Sequence, residues 1–243
     1  MCVAAGVTAG IVVGVVLGIV VGPIVGVAAG VVVAVAVAVA VRRGALGVAT
    51  RAVGGRAVPE GALPRVENMV DGLGATFGVR PPQLVLVDDP VPNACSFGDA
   101  RTGVLVLTSG MVASMDLLEL EGVVAHELTH LKIGDAEVSA VAVTVLRPII
   151  ATSMGVRLLR RLVGDGRELR ADALAVHTVR YPPGLQRALE RMATSRSMPS
   201  GHTPVAPGRT ATSWLWIDPA GAGAGAVGGL DDAAVRAAVL AEL

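Results

Sequence analysis

The chain has 243 residues, 53% of them hydrophobic, with twenty basic and twenty acidic side chains and a formal net charge of zero. Balanced charge without a basic cluster excludes the electrostatic footprint of a nucleic-acid-binding surface, and two cysteines are too few for a disulfide framework. The length suits one compact domain with an additional segment, and with aromatics at only 2% its core must be built from Val, Leu, Ala and Ile.

The first charged side chain is Arg42, so every charge lies in the remainder of the chain. Residues 2–41, "CVAAGVTAGIVVGVVLGIVVGPIVGVAAGVVVAVAVAVAV", form an apolar run interrupted only by Thr8 and small residues. One membrane span takes roughly 20 apolar residues, so the run is long enough for one tilted helix or for a hairpin of two. Gly22-Pro23 at its midpoint is a natural helix break. A cleaved signal peptide would have a basic start and a shorter apolar stretch, and neither is present. Arg42, Arg43, Arg51 and Arg56 follow the run and place residues 42 onward on the cytoplasmic side with either number of spans. An integral membrane protein with a cytoplasmic domain is therefore expected.

Beyond the run, Leu63, Val66, Met69, Val70 and Leu73 have helical spacing, with Gly74 and Gly78 as stop signals. "QLVLVDD" (83–89), "PNACSFG" (92–98) and "GVLVLTSG" (103–110) read as three strands. Asp116, with Glu119 three positions later, has the form of a helix-capping box. The stripe Leu117, Leu120, Val123, Val124, Leu128 and Leu131 predicts the buried face of the helix that follows, and Gly134 its end.

That helix contains His126-Glu127-Leu128-Thr129-His130. Histidines four apart share a helix face and can meet one metal ion, while Glu127, about 100° away, is placed to act as general base on a water. With four histidines in the chain, a chance H-E-x-x-H is expected about 0.002 times. A catalytic zinc site takes a third protein ligand and leaves a position open. Downstream candidates are Asp135, Glu137, Glu168, Asp172, His177 and His202. Asp135 and Glu137 follow Gly134 closely, which disfavours them as ligands. Glu168 lies in a second helical segment, "GRELRADALAV", with Asp172 one turn along the same face. Glu168 is favoured as ligand, and Asp172 as the carboxylate that orients a ligating histidine.

The ordered blocks "PNACSFG", "GVLVLTSGM", "LLELEGVVAHELTHLKIGD", "RELRADALAV" and "YPPGLQRALERMA" resemble those of the membrane zinc metallopeptidases typified by HtpX and the CAAX prenyl endopeptidases. The likeness covers about residues 60 to 193. It implies His126, His130 and Glu168 as ligands of one zinc per chain and Glu127 as catalytic base. It also implies that the strand at Asn93, Ala94, Cys95 and Ser96 lines the cleft and pairs with an extended polypeptide substrate. Two departures stand out. Cys95 occupies a position where the family more usually has an aromatic or aliphatic residue, and Asp218-Pro219 stands where the family often has His-Pro. The histidine that would stabilise a transition state is then missing, with His202 or Arg209 as possible substitutes.

Residues 138–156 are apolar, yet His130 and Glu168 must end on the same side of any membrane. The 37 residues between them fall short of the roughly 40 that two crossings take. A helix covering the active-site helix is expected there, with Arg157, Arg160 and Arg161 either at lipid headgroups or on a solvated helix face. Residues 194–213 read as a polar loop, Trp214 and Trp216 as core residues on one face of a strand, 219–229 as a flexible linker, and the C-terminus as a short helix capped by Asp231 or Asp232.

The fold class expected is α+β: a mainly helical, zincin-like (gluzincin) metalloprotease domain with a small β-sheet, behind an N-terminal transmembrane segment or hairpin. The expected organisation is an anchor at 1–43, the peptidase domain at 44–218 and a linker with terminal helix at 219–243. The expected function is zinc-dependent hydrolysis of peptide bonds in membrane or misfolded proteins, with polypeptide and membrane lipid as partners and no nucleic acid. Three other readings are a catalytically silent zinc-binding scaffold, a signalling peptidase of the antirepressor-sensor type, and a small-molecule zinc hydrolase.

Overall fold

A computed structural model describes residues 2–146, 166–196, 213–219 and 232–243. The apolar run folds as two helices, α1 (Cys2–Val20) and α2 (Pro23–Val53), reversing at Gly22-Pro23 as the sequence predicts. Gly6, Gly10, Gly14 and Gly18 recur every fourth residue on α1 and face Gly26, Gly30 and Ala34 of α2. The backbones approach so closely that a Cβ on Gly30 would stand 2.5 Å from the Gly10 carbonyl oxygen. Small residues here let two helices pack without large side chains between them. The large apolar side chains turn outward instead, with Ile11 60%, Ile19 81% and Ile24 84% exposed. Such a surface is out of place in water and suited to hydrocarbon. By length and composition α2 can cross a membrane.

α2 does not end at residue 43. Its last turns carry Ala45, Ala49 and Val53 into a buried cluster with Val85, Val87, Phe97, Val106 and Trp216. The expected boundary between anchor and domain thus falls inside one continuous helix.

The domain is built on a four-stranded sheet of β1 (Arg56–Ala57), β2 (Gln83–Val87), β3 (Ala94–Gly98) and β4 (Gly103–Thr108), in the order β1-β2-β4-β3. β2 and β4 run parallel, and the other two pairings are antiparallel. β3 is an outer strand, paired with β4 in the register Ala94↔Leu107, Ser96↔Leu105. Thr108 N–H donates to the Asn93 carbonyl, so Cys95 and Phe97 direct their backbone groups toward β4 and Ala94, Ser96 and Gly98 direct theirs outward, by the alternation of an antiparallel pair.

One sheet face packs on α3 (Pro64–Phe77), α5 (Leu117–Ile133), α7 (Arg167–Val179) and α8 (Pro182–Arg196) in the main core; the other face meets α2 and α6 (Asp135–Leu146). A short helix, α4 (Ser109–Ser114), takes the last residues of the predicted third strand, with Thr108 as N-cap. α5 begins with the predicted capping box, Asp116 and Glu119 each bonding the other's backbone, and ends at Gly134 in the left-handed conformation, φ 80. It is the central helix, buried from Leu120 to Leu131 on nearly every side. The expected buried stripe holds except for Leu117, which is 55% exposed because it opens the first turn at the surface.

α6 packs chiefly against α2 and β3, so the apolar stretch after Gly134 covers the second sheet face more than the active-site helix. Its continuation, with Arg157, Arg160 and Arg161, lies outside the described residues, as do most of the expected loop and linker. Ser213–Leu215 is a 3-10 turn rather than the expected strand. Beyond it, Ile217 N–H donates to the Ala94 carbonyl at 2.8 Å, so the segment docks on the start of β3 through a single backbone bond and its neighbours, without a ladder. Trp216 is buried in the second core, as read from the sequence. The closing helix α9 (Ala233–Leu240) is capped by Asp232.

Candidate metal centre and active site

The helical spacing of His126 and His130 places both imidazoles on the face of α5 that meets the first turn of α7. There the Nε2 atoms lie 3.0 Å apart, His126 Nε2 lies 3.1 Å from Glu168 Oε2, and His130 Nε2 lies 3.6 Å from Glu168 Oε1. Tetrahedral zinc, bound at about 2.0–2.1 Å, sets neighbouring ligand atoms about 3.3 Å apart, and the three observed separations straddle that value. His126, His130 and Glu168 are all buried, so the pair of exposed helix histidines that H-E-x-x-H could also have represented is not what the fold contains.

The outward-turned ring nitrogens explain why these donors suit a cation. His130 Nδ1 lies 2.8 Å from Asp135 Oδ1. His126 Nδ1 lies 2.8 Å from Asp172 Oδ1, close enough for an ion pair though not aligned as a formed hydrogen bond. A carboxylate at each Nδ1 favours a proton there, so that once each ring is neutral its Nε2 lone pair converges on the other ring and on Glu168. Such a convergence of acceptors is stable only around a positive charge. Burial would lower the His126 pKa, but the neighbouring carboxylates of Asp172 and Glu168 outweigh it and raise the ring to about 9. Burial would likewise raise the Glu168 carboxyl, yet Arg167 and the two histidines hold it well below the usual carboxylate range. With both imidazoles neutral, as ligation requires, Glu127, Asp135, Glu168 and Asp172 against Arg167 and Arg236 leave the cluster two net negative charges, which one divalent cation would neutralise. The residues present fit zinc.

Three participants escape the sequence reading. Asp135, set aside there as a ligand, is brought beneath His130 because Gly134 turns the chain back in its left-handed conformation. Arg167, at the start of α7, donates from Nε to Glu168 Oε1 at 3.0 Å and from Nη1 to Ser139 Oγ at 2.5 Å. Arg236 reaches in from α9 with no exposure. Its Nε and Nη2 each donate to Asp172 at 2.7 Å, and Nη1 donates to the Ile217 carbonyl at 2.6 Å while lying 3.2 Å from Glu168 Oε2. Arg167 was visible beside Glu168; nothing local in "AAVRAAV" announces Arg236.

Glu127 is 2% exposed on the same helix, and its carbonyl accepts from Ser96 Oγ, tying β3 to α5. The four residues read as substrate-binding divide in two. Asn93 is committed to the chain itself, donating from Nδ2 to the Asp218 carbonyl at 2.8 Å and accepting Asp218 N–H at 3.1 Å, and the Ala94 carbonyl is taken by Ile217. The Cys95 side chain packs in the second core, where burial and then the nearby Glu127 charge push its thiol pKa up. Asp218, in the expected His-Pro position, is buried beside Asn93. His202 and Arg209 lie outside the described residues.

Residues 63–167 match peptidase family M48, a segment that holds H-E-x-x-H and stops one residue before Glu168. The chain is 31% identical over 194 residues to a Protease HtpX homolog of Dictyoglomus thermophilum, covering 64% of this chain and 60% of that protein. It is 31% identical over 164 residues to one of Dictyoglomus turgidum, covering 54% of each, and 31% identical over 173 residues to one of Tropheryma whipplei, covering 57% of this chain and 60% of that protein. The chain thus spans little more than half the length of the curated relatives it matches. On the site geometry and these matches, residues 63–167 are similar to peptidase family M48 and to the proteases described as HtpX homologs.

Proposed function

We propose that the chain is a zinc-dependent endopeptidase, anchored in a membrane by the α1–α2 hairpin, with its domain on the cytoplasmic side. The observation that carries this reading is the convergence of two imidazole Nε2 atoms and the Glu168 carboxylate, each ring held from behind by its own acid. His126, His130 and Glu168 would hold the metal, and zinc when bound supplies Lewis acidity toward a carbonyl and toward water. Glu127 takes the proton of the attacking water and returns it to the leaving amine. Asp135 and Asp172 keep the rings oriented. A substrate strand would pair with the outward backbone groups of Ser96 and Gly98, since Ala94 is already engaged. The apolar outward faces of α1 and α2 support a lipid environment, and the arginines from Arg42 onward support the cytoplasmic side. The substrates that suit a cleft beside a membrane anchor are membrane proteins or misfolded chains.

The test compares detergent-solubilised wild type with Glu127→Gln on an unfolded protein substrate, after confirming about one zinc in each. Cleavage by wild type, with a loss of about 10²–10⁴-fold in the variant, is expected. Zinc bound by both and cleavage by neither would leave the silent scaffold as the better description.

A further inference from the structure

Glu168 is bracketed by two guanidinium groups, one on each carboxylate oxygen. Arg167 Nη2 lies 2.8 Å from Oε1, and Arg236 Nη1 lies 3.2 Å from Oε2. The two arginines do different work. Arg236 is fully buried, takes both oxygens of Asp172 and bonds the Ile217 carbonyl, so it knits α7, α9 and the segment beside β3 together. Arg167 sits at the first position of α7, and its other bond is to Ser139 on α6. Its own charge is felt by Asp135 and Glu127 as well as by Glu168.

Holding Glu168 in place does not require Arg167. The helix backbone fixes Glu168 one residue into α7, and Oε2 is still met by His126 and Arg236 when Oε1 is released. At Oε1, an oxygen that faces His130 at 3.6 Å, Arg167 sets a positive charge through Nε at 3.0 Å and Nη2 at 2.8 Å. A carboxylate whose electron density is drawn by a charged donor gives less to a metal, and a positive charge beside a cation site opposes the cation. The geometry points to Arg167 as a residue that weakens the site's hold on zinc and leaves a bound zinc more electron-poor than Glu168 alone would. This rests on the reading of His126, His130 and Glu168 as ligands.

The sign of one measurement separates this role from simple support. A supporting residue, when removed, loosens zinc; a charge-opposing residue, when removed, tightens it. Zinc affinity of the detergent-solubilised full chain is measured by competition with a chromophoric chelator, for wild type, Arg167→Gln, Arg167→Met and Arg167→Lys, each checked for native helicity. Both neutral variants should bind zinc at least tenfold more tightly, about 1.4 kcal/mol, while Arg167→Lys, which keeps the charge and loses the fork, stays within threefold of wild type. Two neutral replacements keep the test decisive if one fails to fold. Equal or weaker zinc binding by the neutral variants overturns the proposal. Glu168→Gln is the separate control on the ligand reading: if it binds zinc as wild type does, Glu168 is no ligand, and both the reading and the role of Arg167 fall.

Discussion

Gly122 stands one helical turn before His126 on α5, where that helix crosses α8. A Cβ there would meet Leu185 N at 2.5 Å, Leu185 Cα at 2.8 Å and Leu185 Cβ at 3.0 Å. The approach is reciprocal, since a Cβ on Gly184 would meet the Leu118 carbonyl oxygen at 2.5 Å. The obstructing atoms are backbone, so no rotamer change relieves them, and Gly122→Ala must part the helices by about 1 Å to restore ordinary contact. Alanine in a helix interior gains about 1 kcal/mol over glycine, while overpacking a core costs about 1–3 kcal/mol, toward the upper end when backbone must move. A net loss of about 1–2 kcal/mol is expected, or a Tm lower by about 2–8 °C for a domain of this size. Gly72→Ala is the internal control: Gly72 is exposed on α3 with nothing within 4 Å of a Cβ, so only the propensity gain applies and Tm should rise by about 1–4 °C. Thermal unfolding of the zinc-loaded, detergent-solubilised chain measures both. A Gly122→Ala variant that melts at or above wild type would refute the close α5–α8 contact, and with it the placement of His126 against α7.

The carboxylates behind the rings give a second pair of outcomes. Asp135→Ala should weaken zinc binding about 10–100-fold by freeing the His130 ring, with the smaller change in Tm, since the Asp135 side chain is partly exposed and no fully buried arginine depends on it. Asp172→Ala should weaken zinc similarly and also destabilise the fold by about 3 kcal/mol, because the fully buried Arg236 loses both of its bonds to the Asp172 carboxylate. Equal Tm values for the two variants would contradict this division. Zinc binding should also be linked to protons. The His126 ring keeps its proton up to about 9 and must release it to ligate, so apparent affinity should rise about tenfold per pH unit from pH 6 to about 9 and flatten above that. A flat response over the interval would contradict the linkage.

Local sequence was enough to place most elements. The α5 helix is bounded by Asp116, Glu119 and Gly134, whose capping chemistry is complete within one turn at each end. The hairpin turn is likewise contained in Gly22-Pro23. His126, His130 and Glu168 were legible for a related reason: four-residue spacing fixes one helix face, and H-E-x-x-H with a later Glu-x-x-x-Asp restricts what those faces can meet. Elsewhere the outcome depended on what packs against what. Trp214 and Trp216 alternate as in a strand, yet among the described residues the segment meets β3 through the Ile217 backbone bond, and the turn winds into a 3-10 conformation. The boundary at residue 43, drawn where charge begins, disappears because Ala45, Ala49 and Val53 find apolar partners on the sheet.

The sequence by itself determined the apolar run with its break at Gly22-Pro23, the capped helix and the residues able to ligate a metal, because each of these is a matter of composition or of spacing within a few turns. Only the tertiary structure decided how the site is balanced. Arg236 lies 64 residues from Asp172 along the chain, and Asp135 reaches His130 only through the conformation of Gly134. Asn93 is spent on Asp218, 125 residues away. Charges buried at such separations are paired by the fold as a whole, since a buried ion is stable only where some distant part of the chain delivers its partner.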